Sequence, residues 1–208
     1  GVVSLGAFRK DFSNFFGSTT LPATPDLLAK YDLDPALFQG YNIVTKTNIG
    51  DAQVTGMEFN YSQQLSMLPA FARGVSVFAN GTSLHLSGPT TADFNAFVPR
   101  NANWGVSLNR PRYTIMLKWI YRADQRLVAR TGTGVPPGDF QWLKGTLKLD
   151  VNAEYRLRKE IALFVNARNI TREPYVLEYH SETTPSYARQ YNTQDFGVQY
   201  AIGLKGRF

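Results

Sequence analysis

Residues 189–208 read RQYNTQDFGVQYAIGLKGRF, and alternate positions in this stretch fall into two sets. Phe196, Val198, Tyr200, Ile202, Leu204, Gly206 and Phe208 are apolar but for one glycine, whereas Asp195, Gly197, Gln199, Ala201, Gly203, Lys205 and Arg207 are small, polar or charged. Side chains on a strand alternate between faces, so the pattern predicts one ribbon with an apolar and a polar side. A strand of about ten such residues, closing on an aromatic, suits a β-barrel that crosses a membrane.

The pattern continues upstream. Leu147, Leu149, Val151, Ala153, Tyr155 and Leu157 alternate with Thr146, Lys148, Asp150, Asn152, Glu154 and Arg156. An Arg or Lys left in mid-bilayer hydrocarbon costs about 2–4 kcal/mol, so the second set must face water or protein. Ile161 to Ile170 sets Ile161, Leu163, Val165 and Ala167 against Asn166 and Arg168. Tyr113, Ile115, Leu117, Trp119 and Tyr121 form a third apolar set, opposite Arg112, Thr114, Lys118 and Arg122, with Met116 and Ile120 on the polar side. Its aromatics flank an aliphatic middle, as an interfacial girdle requires. Strands are also expected over Val2–Phe16, Tyr41–Leu65, Arg73–Leu86, with a bulge near Gly81, and Asn101–Asn109.

The total is eight strands. Short turns near 67–72, 109–111 and 157–160 alternate with long loops near 17–40, 87–100, 123–142 and 171–188, the first holding one helical turn at Pro25–Tyr31 capped by Thr24. In outer-membrane barrels short turns are periplasmic and long loops extracellular. The expected class is therefore an all-β transmembrane antiparallel barrel, integral to a bacterial outer membrane.

Composition agrees. Hydrophobic residues make up 43% of the 208 and aromatics 13%; the mean hydropathy of −0.25 looks soluble because every second strand residue faces the lumen. No run approaches the roughly 18 apolar residues of a membrane-spanning helix. Cysteine is absent, which removes disulfides and thiolate chemistry. The net charge of +6 is scattered rather than clustered, so no nucleic-acid partner is expected. Two histidines without cysteine make neither a metal site nor a catalytic triad, and TGTGVPPG lacks the Gly-Lys-Ser/Thr of a phosphate loop. An enzyme and a cofactor are not expected.

Three stretches resemble the carboxyl-terminal barrel of TonB-dependent outer-membrane receptors. IALFVNARNITREPY, Ile161 to Tyr175, is similar to the penultimate strand through Asn169 and Tyr175, with Ile170 and Thr171 as departures. DAQVTGMEFNYSQQL, Asp51 to Leu65, is similar to the Gly-x-Glu strand through Gly56 and Glu58. The ending, with Phe208 and Gly203, resembles an outer-membrane assembly signal, departing from it at Gly206 and Ala201. The resemblance implies that residues 1–208 are the last eight strands of a 22-stranded barrel, a carboxyl-terminal segment without its amino-terminal plug. It also implies TonB-energised uptake of a scarce ligand (iron-siderophore, cobalamin or oligosaccharide), with TonB, the plug and remaining strands, the barrel-assembly machinery and outer-membrane lipid as partners.

Candidate ligand contacts lie in two loops. Arg126, Arg130, Phe140 and Trp142 in one, and His180, Tyr187 and Arg189 in the other, are suited to an anionic or aromatic ligand; the alternative is a solvated loop with girdle aromatics at its base. The lumen-facing set is Glu58, Arg112, Lys118, Arg122, Lys148, Asp150, Glu154, Arg156 and Arg168, either meeting a plug or filling the lumen as cross-strand charge pairs. Two rival architectures remain at this point. One is a complete eight-stranded barrel serving as adhesin, anchor or small channel; the other is a soluble lipid-binding barrel with its apolar face inward.

Overall fold

The computed structural model describes residues 1–38, 40–88, 94, 97–130, 132–136 and 138–206, apart from the side chains of residues 15, 18, 49 and 71. It divides into two compact units, one of residues 1–8, 55–85 and 95–208, the other of residues 9–54 and 86–94. In chain order the strands are β1 (Val2–Pro22), β2 (Asn42–Gln64), β3 (Val75–Ser87), β4 (Arg100–Asn109), β5 (Tyr113–Arg122) and β6 (Gln125–Ala129). They continue with β7 (Phe140–Leu143), β8 (Thr146–Arg156), β9 (Ile161–Arg168), β10 (Tyr175–His180), β11 (Gln190–Gln194) and β12 (Gln199–Gly206).

Eight of these form one sheet in the order β1-β2-β3-β4-β5-β8-β9-β12. The pairings described from β3 to β12 are all antiparallel. Their register carries the alternation from strand to strand. Val75, Leu108, Ile115, Ala153, Val165 and Ile202 lie in one cross-strand row, and Val77, Val106, Leu117, Val151, Ala167 and Tyr200 in the next. Aromatics bracket these rows. Tyr113 pairs Tyr155 towards the short turns, while Trp104 pairs Trp119, and Ala102 pairs Tyr121, towards the long loops.

This apolar face is not covered: on β12 alone Tyr200, Ile202 and Leu204 are each about 70% exposed. Soluble monomers rarely show contiguous apolar patches larger than a few hundred Å². Buried hydrophobic residues among those described are few and mostly small, so there is no inward apolar core of the kind a soluble lipid-binding barrel needs.

The opposite face is polar, and several of its apolar members sit over glycines. Phe78 is the cross-strand partner of Gly105 and Phe164 of Gly203, and the Phe8 and Leu84 side chains occupy the space a Cβ at Gly56 would need. Each glycine leaves a gap into which a ring settles, as in aromatic rescue of strand glycines. Glycine at 56 and 203, two positions of the family resemblance, thus has a packing reason.

The structure corrects several expectations. The stretch 189–208 is not one ribbon. Gln190–Gln194 is β11 in a separate sheet, and β12 begins only at Gln199. The cause is local: the Gly197 N–H donates to Asp195 Oδ1 at 2.7 Å, and Gly197 adopts φ +66°, a turn that breaks the alternation. Phe196 accordingly packs edge-on against Tyr175, with ring centroids 6.4 Å apart. Phe208 and Arg207 lie outside the described residues. No bulge occurs at Gly81, because the β3–β4 register runs unbroken from Val75 to Ser83; Phe78 stays in register on the polar face, received by Gly105. The first strand continues to Pro22, shortening the loop expected from residue 17. The loops expected at 123–142 and 171–188 contain β6, β7 and β10. Finally, β1 and β12 stand at opposite ends of the strand order, so the eight strands are not closed into a barrel of their own and that rival fails.

In the second unit, Thr24 caps helix α1 (Pro25–Lys30) by accepting from the Leu27 N–H, as the sequence predicts, and Leu28 is 1% exposed. Among the described residues no helix is long and apolar enough to cross a membrane, which bears on helices alone.

Candidate functional site

The two loops carrying the predicted contacts pair with each other. They build a four-stranded sheet in the order β11-β10-β7-β6. FQWL and YVLEYH are rich in aromatic and β-branched residues, which favour a pleated surface, and β7 pairs β10 from Leu143↔Leu177 to Phe140↔His180.

One face of this sheet collects four of the seven candidates. Trp142 stacks on His180 with centroids 4.9 Å apart and planes 8° from parallel, and its Nε1–H donates to the His180 carbonyl at 3.3 Å. The Arg126 guanidinium lies 4.7 Å from the Phe140 ring centroid. Glu178, directly across from Trp142, approaches His180 Nε2 at 3.8 Å and Lys144 Nζ at 3.7 Å. Flat aromatic surface, cationic groups and a carboxylate therefore meet in one place.

Arg130 is on the opposite face. It stacks 4.0 Å over Tyr179, which itself stacks on Tyr191 at 4.0 Å, and its Nη1 pairs with Asp139 Oδ2 at 2.8 Å. Asp139 is 5% exposed and its Oδ1 accepts no hydrogen bond among the described residues. This cluster fastens the loop sheet together. Arg189 folds back, its Nε donating to the Thr184 carbonyl at 3.0 Å, and Tyr187 is 89% exposed on the 3-10 turn Ser186–Ala188. Neither joins the Trp142–His180 group. Sequence reasoning missed Tyr179, Tyr191, Asp139, Glu178 and Lys144; the aromatic density of YVLEYH was the available signal.

The junction between the sheets is fixed by Asn169, at φ +56°. Its side chain accepts from the Glu173 N–H and donates to the carbonyls of Glu173 and Gly197, while its own N–H donates to Asp150 Oδ1 at 2.9 Å. Asn169→Ala should cost about 1–2 kcal/mol, from lost hydrogen bonds and a left-handed backbone without its favoured residue. Urea unfolding in detergent checks this. Nearby, the Gly197 N–H and then the Arg172 guanidinium, 2.7 Å away, hold the Asp195 carboxyl below its usual range. A lowered folded value means this stabilisation is complete above the unfolded value of about 3.9 and disappears as pH falls through the folded one. Proteolysis between residues 171 and 198 should therefore quicken below pH 4, and Asp195→Asn should remove most of that pH dependence.

On the polar face of the large sheet, Lys118 is the cross-strand partner of Asp150, Ile120 of Lys148 and Thr114 of Glu154. Glu154 reaches over β9 to form an ion pair with Lys205, absent from the predicted set. Arg122 is tied to Gln125 Oε1 and the Lys144 carbonyl, and Arg156 to the Pro111 carbonyl, so both brace turns. Glu58, Arg112 and Arg168 are exposed, Arg168 opposite Gln199. Between β4, β5, β8 and β9 this face is hollowed by about 480 Å³, lined by Ser107, Met116, Asn152, Glu154 and Asn166. Among the described residues no group of three or more His, Asp or Glu is placed to hold a metal ion.

A two-faced antiparallel sheet with an uncovered apolar side, aromatic borders and folded loops at one end defines part of a membrane barrel. The family model for the TonB-dependent-receptor-like β-barrel matches residues 1–170, and the chain belongs to that family. It is an integral outer-membrane protein, and the family is one of receptors, not enzymes. No curated protein matches the chain significantly. Solved structures share its fold. A variant of the ferric enterobactin receptor PfeA from Pseudomonas aeruginosa superposes with TM-score 0.64 at 14% identity, covering 99% of this chain and 29% of that one. The copper transporter OprC gives 0.61 at 15%, covering 99% and 28%. The unliganded ferric citrate transporter FecA gives 0.56 at 16%, covering 74% and 24%. The chain thus spans less than a third of the length of each.

Proposed function

We propose that residues 1–208 are the carboxyl-terminal segment of a larger barrel that takes up a scarce ligand across the outer membrane, driven through TonB. The polar face, with Glu58, Arg112, Lys118, Arg122, Lys148, Asp150, Glu154, Arg156 and Arg168, lines the lumen and meets an amino-terminal plug. The carboxyl terminus, with Gly203 and Phe208, serves recognition by the barrel-assembly machinery. The ligand is a metal chelate carrying aromatic or anionic groups, such as an iron-siderophore. The observation that carries this is the loop-sheet face, where Trp142, His180, Phe140 and Arg126 assemble from two loops 38 residues apart (Trp142 to His180). Neighbours whose names specify copper, ferric citrate and enterobactin support a metal-bearing ligand.

The test is binding and uptake by the full-length protein. Ferric catecholates, ferric citrate, cobalamin and oligosaccharides are titrated against tryptophan fluorescence, and uptake is followed with and without the proton gradient. One ferric chelate should saturate the protein and enter only in energised cells, and Trp142→Ala should weaken it about tenfold. Saturation by none of the panel, or uptake indifferent to the gradient, removes the proposal.

A further inference from the structure

On the apolar face the surface sinks between β1 and β5. Along the row Gly81–Ala102–Tyr121, two of the three outward positions carry almost no side chain. The result is a groove of about 330 Å³ walled by Leu5, Met57, Phe59, Gly81, Ala102 and Tyr121. That lies within the roughly 300–1,000 Å³ of ordinary ligand cavities, and its inner walls are almost wholly hydrocarbon. Ordinary lipid-facing strands present a continuous aliphatic surface; here glycine and alanine interrupt it within the aromatic border, level with Tyr121 and one row beyond Trp104 and Trp119 towards the long loops.

The groove has a cation at its mouth. Arg100 lies on the same side as Ala102, paired with Ser83, and roughly 7 Å further towards the long-loop end at 3.4 Å per residue. It is exposed, and among the described residues no carboxylate pairs with it. His85 is exposed on the same side, two residues beyond Ser83. An arginine pointing outward past the aromatic belt sits at headgroup depth, where its stem rests on hydrocarbon and its guanidinium meets phosphate. Long loops face the cell exterior, and the exterior leaflet of such a membrane is built from phosphorylated, multiply acylated saccharolipid.

We propose that this groove is a specific site for one such lipid, with an acyl chain seated over Gly81 and Ala102 and a sugar phosphate held by Arg100. Independent of the ligand transported, the site needs only the membrane placement of this face.

The experiment is native mass spectrometry of the full-length protein in detergent micelles, titrated with bis-phosphorylated lipid A, its dephosphorylated form, and phosphatidylglycerol. Variants are Arg100→Gln, Arg100→Lys and Gly81→Leu. A Cβ at Gly81 would make only ordinary contacts, the nearest 3.4 Å from the Asn101 carbonyl, so the last fills the groove without a backbone clash. Ala102→Leu serves if Gly81→Leu does not assemble. The expected result is saturable binding of the phosphorylated lipid, weakened about tenfold by dephosphorylation, by Arg100→Gln and by either leucine, with Arg100→Lys recovering part. Chelate binding should stay unchanged in all variants, which separates this site from the loop-sheet reading. Equal binding of phosphatidylglycerol, or lipid retention insensitive to both Arg100→Gln and the leucine variants, overturns the assignment.

Discussion

Leu117→Arg is expected to prevent stable assembly, whereas Met116→Arg, at the adjoining residue, is expected to leave it nearly intact. Leu117 lies mid-row between Val106 and Val151, with aromatic borders at Tyr113 and at Trp119 and Tyr121. An arginine there stands at the bilayer midplane and costs about 2–4 kcal/mol. Met116, though apolar, pairs with Ser107 and Asn152 and lines the polar hollow, so a guanidinium there finds water and amide oxygens and should cost under about 1 kcal/mol. Urea titration in vesicles and the heat-dependent electrophoretic shift of the full-length protein measure both. Equal effects would mean the sheet is not one-sided.

The second large effect concerns the loop sheet. Arg130→Ala should strip the buried Asp139 of the cation paired with it and remove the stack on Tyr179. Breaking a buried pair costs about 3–5 kcal/mol. Because the Arg130 side chain is 35% exposed, solvent screening reduces this to about 2–3 kcal/mol. Hydrogen exchange in β6, β7 and β10 should accelerate roughly a hundredfold while β5 and β8 stay as slow as before. The double variant with Asp139→Ala should recover much of the loss, since the orphaned carboxylate is then gone. If exchange in β5 and β8 rises equally, the loop sheet is not a separate opening unit.

The large sheet was legible because its pattern has a period of two and its register is enforced on one face; a one-residue slip would carry Leu117 and Val151 to the polar side. What could not be read were features set by long-range partners. Phe78 and Phe164 stand on the polar face because glycines on neighbouring strands, Gly105 and Gly203, receive them, and no single strand displays that pairing. The ribbon 189–208 looked continuous because Phe196 and Val198 keep the period by chance through a turn made by Asp195 and Gly197. The candidate site was half legible. Aromatic and basic residues marked the right loops, and Arg126, Phe140, Trp142 and His180 do converge. Composition cannot say which side of an unsuspected strand a residue takes, so Arg130 was grouped with them although its stack on Tyr179 puts it opposite. Nor did an isolated Asp139 announce that it would be buried as the counter-ion. Asn169 and Gly56, noticed only through family resemblance, turned out to be a junction staple and a ring seat.

The one-sidedness of β8 is the point on which everything else depends. This chain has no cysteine, so single cysteines can be placed from 147 to 155, spin-labelled and measured in vesicles for access to oxygen and to a water-soluble nickel chelate. Oxygen access should peak at Leu147, Leu149, Val151, Ala153 and Tyr155 and fall at Lys148, Asp150, Asn152 and Glu154. A reversed pattern, or none with a period of two, would contradict the membrane-facing assignment.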